Sequence, residues 1–165
     1  MAILHLISPD TESTIRIGRI LGSCLPRGTF VALEGTLGAG KTQFVKGIAC
    51  GLDEGGWAGL RSPTFTLMLS YHGGRCVLHH VDFYRLNESP ELPGEILEAI
   101  NSDRAITVVE WADIWRDVWP KQVVRVCFEI DEDTSKRRIS IEFPDQLCPT
   151  LSKELDDYVA QPAEA

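Results

Sequence analysis

The sequence contains no long hydrophobic run. No apolar stretch in its 165 residues approaches the roughly 20 residues that a bilayer-spanning helix requires. The first segment, Met1–Ile7, is briefly apolar, but it has neither the basic flank nor the small-residue cleavage site of a signal peptide. We therefore predict that this segment forms a first β-strand, and we expect no membrane association.

Cysteine is present without the spacings that build disulfide frameworks or zinc sites. The five cysteines are an odd number, they are scattered along the chain, and no two of them have CxxC spacing. Both a disulfide scaffold and a structural zinc site are therefore disfavoured. A reducing cytoplasm is the compartment that this cysteine usage favours.

Basic residues are in the minority. The chain has 16 lysines and arginines against 24 aspartates and glutamates, which gives a formal net charge of −8 at pH 7. Proteins that bind nucleic acid without a partner protein usually present a basic surface to the phosphates. We therefore expect no DNA binding, and we expect any contact with RNA to be indirect.

Length and composition indicate one ordinary globular domain. The chain is 44% hydrophobic and 24% charged, and its length suits one sizeable core better than two. We predict a single domain over residues 1–160 and a flexible tail at 161–165. Because helical and strand-like segments are mixed, the expected architecture is a three-layer α/β sandwich whose central sheet is mostly parallel with an antiparallel portion.

The predicted elements follow from periodicity and from glycine and proline positions. Asp10 is the predicted N-cap of a first helix, which Pro26 and Gly28 end. Further helices are predicted at 44–49, stopped by Gly51, and at 92–100 and 151–159. Strands are predicted at 29–34, at 64–71 and 75–82 joined by a hairpin turn at 72–74, and at 106–110, 123–130 and 139–143.

One glycine-rich loop carries the clearest chemical signal. The run Gly35-Thr36-Leu37-Gly38-Ala39-Gly40-Lys41-Thr42 matches GxxxxGK[ST], and it lies between an apolar strand and a helix, which is the setting that this motif requires. Its glycines permit a tight turn whose N–H groups converge on phosphate, and the helix N-terminus adds a positive dipole end. The Lys41 ammonium suits the β- and γ-phosphates, and the Thr42 hydroxyl suits Mg²⁺.

A P-loop protein also needs a carboxylate at the end of a neighbouring strand to fix the metal. Glu110 ends the apolar run 106–109, and Asp82 ends the more polar run 77–81. We assign Glu110 to the metal and Asp82 to the water or γ-phosphate side. Alternatively, either acid is a strand-end carboxylate that caps the next loop.

Three other features have competing interpretations. The segment 62–65 is either a switch loop that senses the γ-phosphate or an ordinary turn into a strand. The adjacent histidines 79–80 would face opposite sides of a strand, so hydrogen bonding or packing is favoured over a shared metal. The i, i+4, i+8 spacing of Trp111, Trp115 and Trp119 predicts one helical stripe that serves as core or partner surface.

Four sequence blocks together resemble one protein family. They are 38–42 (GAGKT), 62–67 (SPTFTL), 80–86 (HVDFYRL) and 109–111 (VEW), and they cover the chain from about Asp10 to Pro120. In this order they are similar to the TsaE family, the bacterial P-loop ATPases of tRNA threonylcarbamoyladenosine biosynthesis. The chain departs from the family pattern at Thr36, where an aspartate is common, and at the prolines 90 and 93.

The resemblance implies a P-loop NTPase fold and a specific function. It implies a weak ATPase that acts with the TsaB and TsaD proteins, which place a threonylcarbamoyl group on adenosine 37 of tRNAs that read codons beginning with A. It also implies ATP and Mg²⁺ as cofactors. The implied site is Leu37, Gly38, Ala39, Gly40, Lys41 and Thr42 for the phosphates, Thr42 and Glu110 for Mg²⁺, Lys41 and Asp82 for hydrolysis, Thr11 near the adenine, and Trp111 with 62–65 facing partners.

Two other functions use the same phosphate cradle. A small-molecule or nucleotide kinase has a suitable size, but such kinases usually cover the transferring phosphate with an arginine-rich lid, and the sequence after Glu110 has only scattered basic residues. A GTP-binding switch is the third interpretation, and it ranks last because the sequence contains no Asn-Lys-x-Asp run for guanine.

Overall fold

A seven-stranded mixed β-sheet organises the part of the chain that the computed structural model describes, residues 1–53 and 59–160. Its strands are β1 (Ala2–Ser8), β2 (Phe30–Gly35), β3 (Met68–Tyr71), β4 (Leu78–Asp82), β5 (Ile106–Glu110), β6 (Val124–Ile130) and β7 (Arg137–Phe143). Their order across the sheet is β1-β7-β6-β2-β5-β4-β3. The central four, β6, β2, β5 and β4, run parallel. The outer pairings are antiparallel.

Helices cover both faces of this sheet, as the predicted three-layer sandwich requires. The helices are α1 (Thr11–Cys24), α2 (Lys41–Leu52), α3 (Gly94–Ile100) and α4 (Cys148–Ala160), with 3-10 segments at Tyr84–Leu86, Ala112–Val118 and Asp145–Leu147. One apolar core joins α1, α2 and α4 to one face of the sheet. A second core joins α3 and the first two 3-10 segments to the other face. The predicted α/β fold class is confirmed.

Local sequence signals explain the ends of α1. The Asp10 carboxylate accepts a 2.7 Å hydrogen bond from the Ser13 backbone N–H, which satisfies one of the free donors in the first turn. At the other end, Leu25 leaves the helical region and Pro26 follows it. Proline cannot donate the next helical hydrogen bond, so the helix ends where the sequence predicts.

The first two helices pack unusually close together through glycines. Gly18 and Gly22 of α1 face Gly47 and Gly51 of α2, and a methyl group added to any of the four would run into backbone of the opposite helix. The expectation that Gly51 stops α2 is therefore wrong, because α2 continues to Leu52. Gly51 serves close helix packing and not helix termination. This contact fixes α2, and with it the glycine-rich loop, against α1.

Two predicted strands are shorter in the structure. The segment predicted as strand from residue 64 is a turn up to Leu67, whose φ of 65° is left-handed, and β3 begins only at Met68. The turn between β3 and β4 is also wider than the predicted 72–74, because Tyr71 pairs with Leu78. Because β3 begins only at Met68, residues 62–64 are not part of the sheet, and the Ser62 and Thr64 side chains contact Asp82 at the end of β4.

Some expectations lie outside the described residues. The glycine-rich sequence at 53–61 predicts a loop, and its residues 54–58 lie outside the described part, as does the predicted flexible tail at 161–165. Among residues 1–53 and 59–160, no helix has both the length and the apolar character needed to cross a membrane.

Candidate nucleotide-binding site

The site lies where three parallel strands end. The glycine-rich loop follows β2, Glu110 ends β5, and Asp82 ends β4. Strand register places Glu110 beside Leu33 on one side and beside Asp82 on the other. Because β5 lies between β2 and β4, Glu110 is next to the loop and Asp82 is one strand further away. The carboxyl edge of a parallel sheet is the usual place for a ligand.

Two loop glycines adopt backbone conformations that side chains disfavour. Gly38 has φ 76° and Gly40 has φ 104°, both in the left-handed region. No atom outside the immediate neighbours lies within 4 Å of where a Gly38 side chain would begin. Gly40 then serves as the N-cap of α2, whose first residues are Lys41 and Thr42. The loop therefore leaves an open concave surface above the positive end of α2.

The Lys41 ammonium lies inside this concave surface. It donates hydrogen bonds to the carbonyls of Gly35 at 2.6 Å and Thr36 at 2.9 Å. It also lies 3.9 Å from the centre of the Trp111 ring, which is close enough for a cation–π contact. The residue is only 4% exposed. The charge is thus held in place by two carbonyl dipoles and one aromatic face.

Burial sets the electrostatics of this lysine. Loss of hydration lowers the pKa of Lys41 below its ordinary value, while the nearby negative charges of Glu110, Asp82 and Asp113 act in the opposite direction. A buried ammonium with incomplete compensation by protein anions favours a bound anion, since the anion supplies the missing negative charge.

Two side chains from different elements contact the Glu110 carboxylate, the partly buried Thr42 and the buried His80. The Thr42 hydroxyl lies 2.9 Å from Oε1 and 3.0 Å from Oε2 of the carboxylate. The imidazole Nε2 of His80 lies 2.7 Å from Oε1. His80 is completely buried and Glu110 is 3% exposed. A hydroxyl and a carboxylate in direct contact supply the hard oxygen donors that Mg²⁺ prefers.

Asp82 holds a loop and caps a turn at once. Its Oδ2 accepts hydrogen bonds from the hydroxyls of Ser62 at 2.9 Å and Thr64 at 3.0 Å. Its Oδ1 accepts a 2.9 Å hydrogen bond from the Tyr84 backbone N–H. The capping role that we considered as an alternative is therefore present, on one oxygen only. The other oxygen ties the 62–64 segment to the end of β4.

A cavity of about 470 Å³ joins these groups. It contains every residue that the sequence assigned to the site: Thr11, Leu37, Gly38, Ala39, Gly40, Lys41, Thr42, Asp82 and Glu110. Thr11 comes from the first turn of α1 and lines the same cavity. The cavity therefore combines two acids and a lysine from the sheet edge and the glycine-rich loop with a wall residue from α1.

Sequence reasoning did not identify several residues that line the cavity or support it. Arg137 comes from β7 and donates a 3.0 Å hydrogen bond to the Ala39 carbonyl of the loop. Gln43 and Tyr84 also line the cavity. For His80 the sequence favoured packing or hydrogen bonding over a metal, without indicating Glu110 as its partner. The sheet order alone brings Arg137 and His80 to the site, so no local motif could have found them, whereas Gln43 follows the glycine-rich motif directly and Tyr84 lies in the 80–86 block.

The predicted tryptophan stripe does not form on one continuous helix, but its predicted core role is confirmed, because Trp111, Trp115 and Trp119 all pack against the second core. Trp111 has a left-handed φ of 57°, and the following 3-10 segment is broken at Trp115, where φ is −128° and ψ is 57°. Trp111 lines the cavity, whereas Trp115 donates its indole N–H to the Leu86 carbonyl. Trp119 packs against Phe30, with ring centres 6.2 Å apart. A left-handed backbone costs free energy for a bulky residue, and here it turns the Trp111 ring over Lys41.

Comparisons with known proteins identify the family of the chain. The family model for threonylcarbamoyl adenosine biosynthesis protein TsaE matches residues 8–139. The chain is 34% identical over 133 residues to the tRNA threonylcarbamoyladenosine biosynthesis protein TsaE of Treponema pallidum, covering 81% of this chain and 96% of that one. It is 32% identical over 148 residues to the Bacillus subtilis protein of the same name, covering 87% and 90%.

A solved structure gives the same result for the fold. The crystal structure of YdiB from Bacillus subtilis superimposes with a TM-score of 0.74 at 28% identity, covering 92% of this chain and 95% of that one. The resemblance that four short sequence blocks suggested is thereby confirmed over most of the chain. The protein belongs to the TsaE family of threonylcarbamoyl adenosine biosynthesis proteins.

Proposed function

We propose that the protein is a cytoplasmic, Mg²⁺-dependent ATPase of low intrinsic activity that works with a TsaB–TsaD complex in the modification of tRNA adenosine 37. The observation that carries the proposal is the convergence of Lys41, Thr42 and Glu110 in one cavity beside the glycine-rich loop. Family membership supports the tRNA pathway. The ATPase activity, the metal and the partners are inferred from chemistry and from the resemblance.

The residues present fit ATP with Mg²⁺. The open backbone above Gly38 and the start of α2 offer N–H donors to phosphate oxygens. The Lys41 ammonium adds a full positive charge, and the paired oxygens of Thr42 and Glu110 would hold the metal. When bound, Mg²⁺ neutralises charge on the β- and γ-phosphates. Thr11 lines the same cavity, and by the family resemblance it would lie near the adenine.

Lys41 and Asp82 have different roles in the proposed hydrolysis. Lys41 exchanges its two carbonyl contacts for phosphate oxygens, which stabilise its buried charge better than neutral dipoles do. Asp82 places the 62–64 segment beside the γ-phosphate end. Three donors already occupy the Asp82 carboxylate, so few of its lone pairs are left to orient an attacking water. This occupancy accounts for a low intrinsic rate that a partner would raise by moving the segment.

Exposed apolar side chains at the rim of the cavity support the proposal that a partner protein binds there. Leu37, Phe65 and Tyr84 are 77%, 80% and 50% exposed, although each is a large apolar or aromatic side chain. Arg85 lies over the Phe65 ring at 4.3 Å from its centre. Exposed apolar side chains around a polar cavity are typical of interaction sites. With a net charge of −8, the chain leaves contact with tRNA to TsaB and TsaD.

The test combines nucleotide binding with reconstitution. The full chain is mixed with TsaB, TsaD, tRNA and a threonylcarbamoyl donor, and the modified nucleoside is measured by mass spectrometry. Lys41→Ala is expected to weaken ATP binding about 10- to 100-fold, because a charge-assisted hydrogen bond contributes about 1.5–3 kcal/mol. It should also abolish formation of the nucleoside.

The matched control is Lys46→Ala, which removes a lysine from the same helix outside the cavity. It should leave both ATP binding and nucleoside formation intact. Equal ATP affinity of Lys41→Ala and the parent protein would contradict the proposed site. A phosphorylated small molecule in a substrate screen, together with unchanged tRNA modification when the chain is omitted, would favour the kinase interpretation instead.

A further inference from the structure

His80 is a buried polar residue, and hydrophobic packing alone does not explain why a histidine occupies this position. It is 0% exposed, and its register neighbours are Leu69 on β3 and Val108 on β5. Its Nδ1 has no hydrogen-bond partner among the described residues. A buried ring nitrogen without a partner destabilises the folded state, so an aliphatic side chain would suit packing alone better. The imidazole is therefore explained by its one polar contact, which is with Glu110.

The direction of that contact follows from the chemistry of the two groups. An ionised carboxylate only accepts hydrogen bonds, so at 2.7 Å the Nε2 of His80 is the donor and Glu110 Oε1 the acceptor. Nδ1, by contrast, has no hydrogen-bond partner among the described residues, so it has no acceptor to which it could donate a proton. One tautomer thus satisfies both nitrogens better than the other.

The effect on Glu110 is to fix its orientation. A glutamate side chain has three rotatable bonds, and the Thr42 hydroxyl alone bridges both carboxylate oxygens without selecting between them. The His80 contact engages Oε1 only, and it comes from β4, which is a rigid neighbouring strand. Carboxylates that bind metals are commonly held by a second hydrogen bond of this kind.

We propose that His80 is a positioning residue for divalent-cation binding: its Nε2–H holds Glu110 Oε1, so that Oε2 and the Thr42 hydroxyl are preset for the cation that accompanies the nucleotide. The inference rests on the proposed function, and it adds a residue from outside the cavity to the set that determines metal affinity. It predicts that loss of the donor weakens the contribution of Mg²⁺ to ATP binding and leaves metal-free ATP binding unchanged.

The test uses two variants of nearly equal shape. His80→Gln retains an N–H donor, and His80→Met does not. ATP affinity is measured by calorimetry on the full chain, once with excess Mg²⁺ and once with a chelator. The Mg²⁺-dependent gain in ATP affinity should fall about 10- to 100-fold in His80→Met and should be largely restored in His80→Gln. His79→Met is the matched control, since His79 instead bonds the Ser70 hydroxyl at 2.8 Å.

The outcomes separate the two proposals. If the parent protein shows no Mg²⁺-dependent ATP binding, the proposed function fails. If the parent does and His80→Met retains the full gain, or loses ATP affinity equally with and without Mg²⁺, His80 has only a structural role. Should His80→Met not fold, nitrogen NMR of the parent protein decides: His80 must carry its proton on Nε2 and shift on addition of Mg²⁺ and ADP, and a bare Nε2 would overturn the inference.

Discussion

Arg137 and Ala39 are 98 positions apart in the chain, and the guanidinium Nε of one donates a 3.0 Å hydrogen bond to the backbone carbonyl of the other. This contact joins β7 to the glycine-rich loop on the side away from Glu110. The guanidinium also approaches Gly40, whose added methyl group would lie 3.1 Å from the Arg137 Nε. The Arg137 guanidinium therefore adds a second positive charge beside the loop, next to that of Lys41, and its hydrogen bond to the Ala39 carbonyl holds it there.

We predict that Arg137→Ala weakens ATP binding about 5- to 30-fold, which corresponds to about 1–2 kcal/mol for one charge-assisted hydrogen bond and a partly exposed charge. Arg138→Ala is the control, since the adjacent Arg138 faces away and bonds Asp131 at 3.1 Å. Calorimetric titration with ATP compares the two. Similar affinities in both variants would show that the loop does not depend on Arg137.

The close contact between α1 and α2 leads to a prediction about stability. A methyl group added at Gly47 would collide with the backbone of α1, at the Ile15 carbonyl oxygen and the Arg19 nitrogen, and backbone atoms inside a helix cannot move aside alone. We expect Gly47→Ala to lower the free energy of unfolding by about 1–3 kcal/mol, as overpacking in cores does. Urea unfolding followed by circular dichroism measures it.

Gly94→Ala supplies the comparison for this experiment. Gly94 begins α3, and nothing lies within 4 Å of where its side chain would start. Alanine is favoured over glycine in helices by up to about 1 kcal/mol, so this variant should be neutral or slightly stabilising. A loss of stability at Gly94 as large as that at Gly47 would refute the packing explanation.

The glycines of α2 also show which structural roles could be predicted from the sequence and which could not. The glycine-rich loop, Asp82 and Glu110 were predictable, because each is a local pattern at the end of an apolar strand. Gly51 was assigned to helix termination, which is the usual role of a glycine near a predicted helix end. Its actual role depends on which helix lies opposite, and a single helix pattern does not contain that information.

The same reason explains the residues that were not identified. Arg137 and His80 reach the site only because β7 and β4 occupy particular places in the sheet order. The tryptophan spacing suggested a helix, whereas the left-handed backbone at Trp111 begins a broken 3-10 segment. A spacing of four residues is compatible with a helix, but it does not reveal a backbone angle that tertiary contacts impose.

Glu34 provides a third prediction, because it precedes the loop and joins two arginines. Arg125 makes two hydrogen bonds to its carboxylate, at 3.0 and 2.9 Å, and Arg116 approaches both oxygens at 3.0 Å. Glu34 is 8% exposed. We expect Glu34→Ala to reduce the free energy of unfolding by about 2 kcal/mol. Charged hydrogen bonds contribute about 1.5–3 kcal/mol, and the partial solvent exposure of both arginines keeps the loss below the sum of several such bonds.

The matched control for Glu34 is Glu142→Ala. Glu142 pairs with the same Arg125, but at 3.6 Å and with a third of its side chain exposed. Exposed pairs of this kind contribute about 0–1 kcal/mol. Urea unfolding of the two variants should therefore differ clearly. If Glu142→Ala is as destabilised as Glu34→Ala, the arrangement of two arginines around Glu34 has no special importance.

The last prediction concerns pH and the N-cap of α1. The Ser13 backbone N–H donates to the Asp10 carboxylate, and this hydrogen bond is the main reason that the pKa of Asp10 lies below its ordinary value of 3.8. Because the folded-state pKa is the lower one, the unfolded chain binds the proton more tightly. The stabilisation is therefore complete above pH 3.8 and is lost as the pH falls through the folded-state pKa.

Two substitutions at this position test that dependence. Asp10→Ala should lower the free energy of unfolding by about 1 kcal/mol at neutral pH, as the loss of a cap does. Asp10→Asn keeps a capping oxygen but cannot titrate, so its advantage over Asp10→Ala should stay constant as the solution is acidified. The advantage of the parent protein over Asp10→Ala should instead shrink below pH 3.8 in urea unfolding experiments. If it remains the same under acid conditions, the capping contact does not depend on the charge of Asp10.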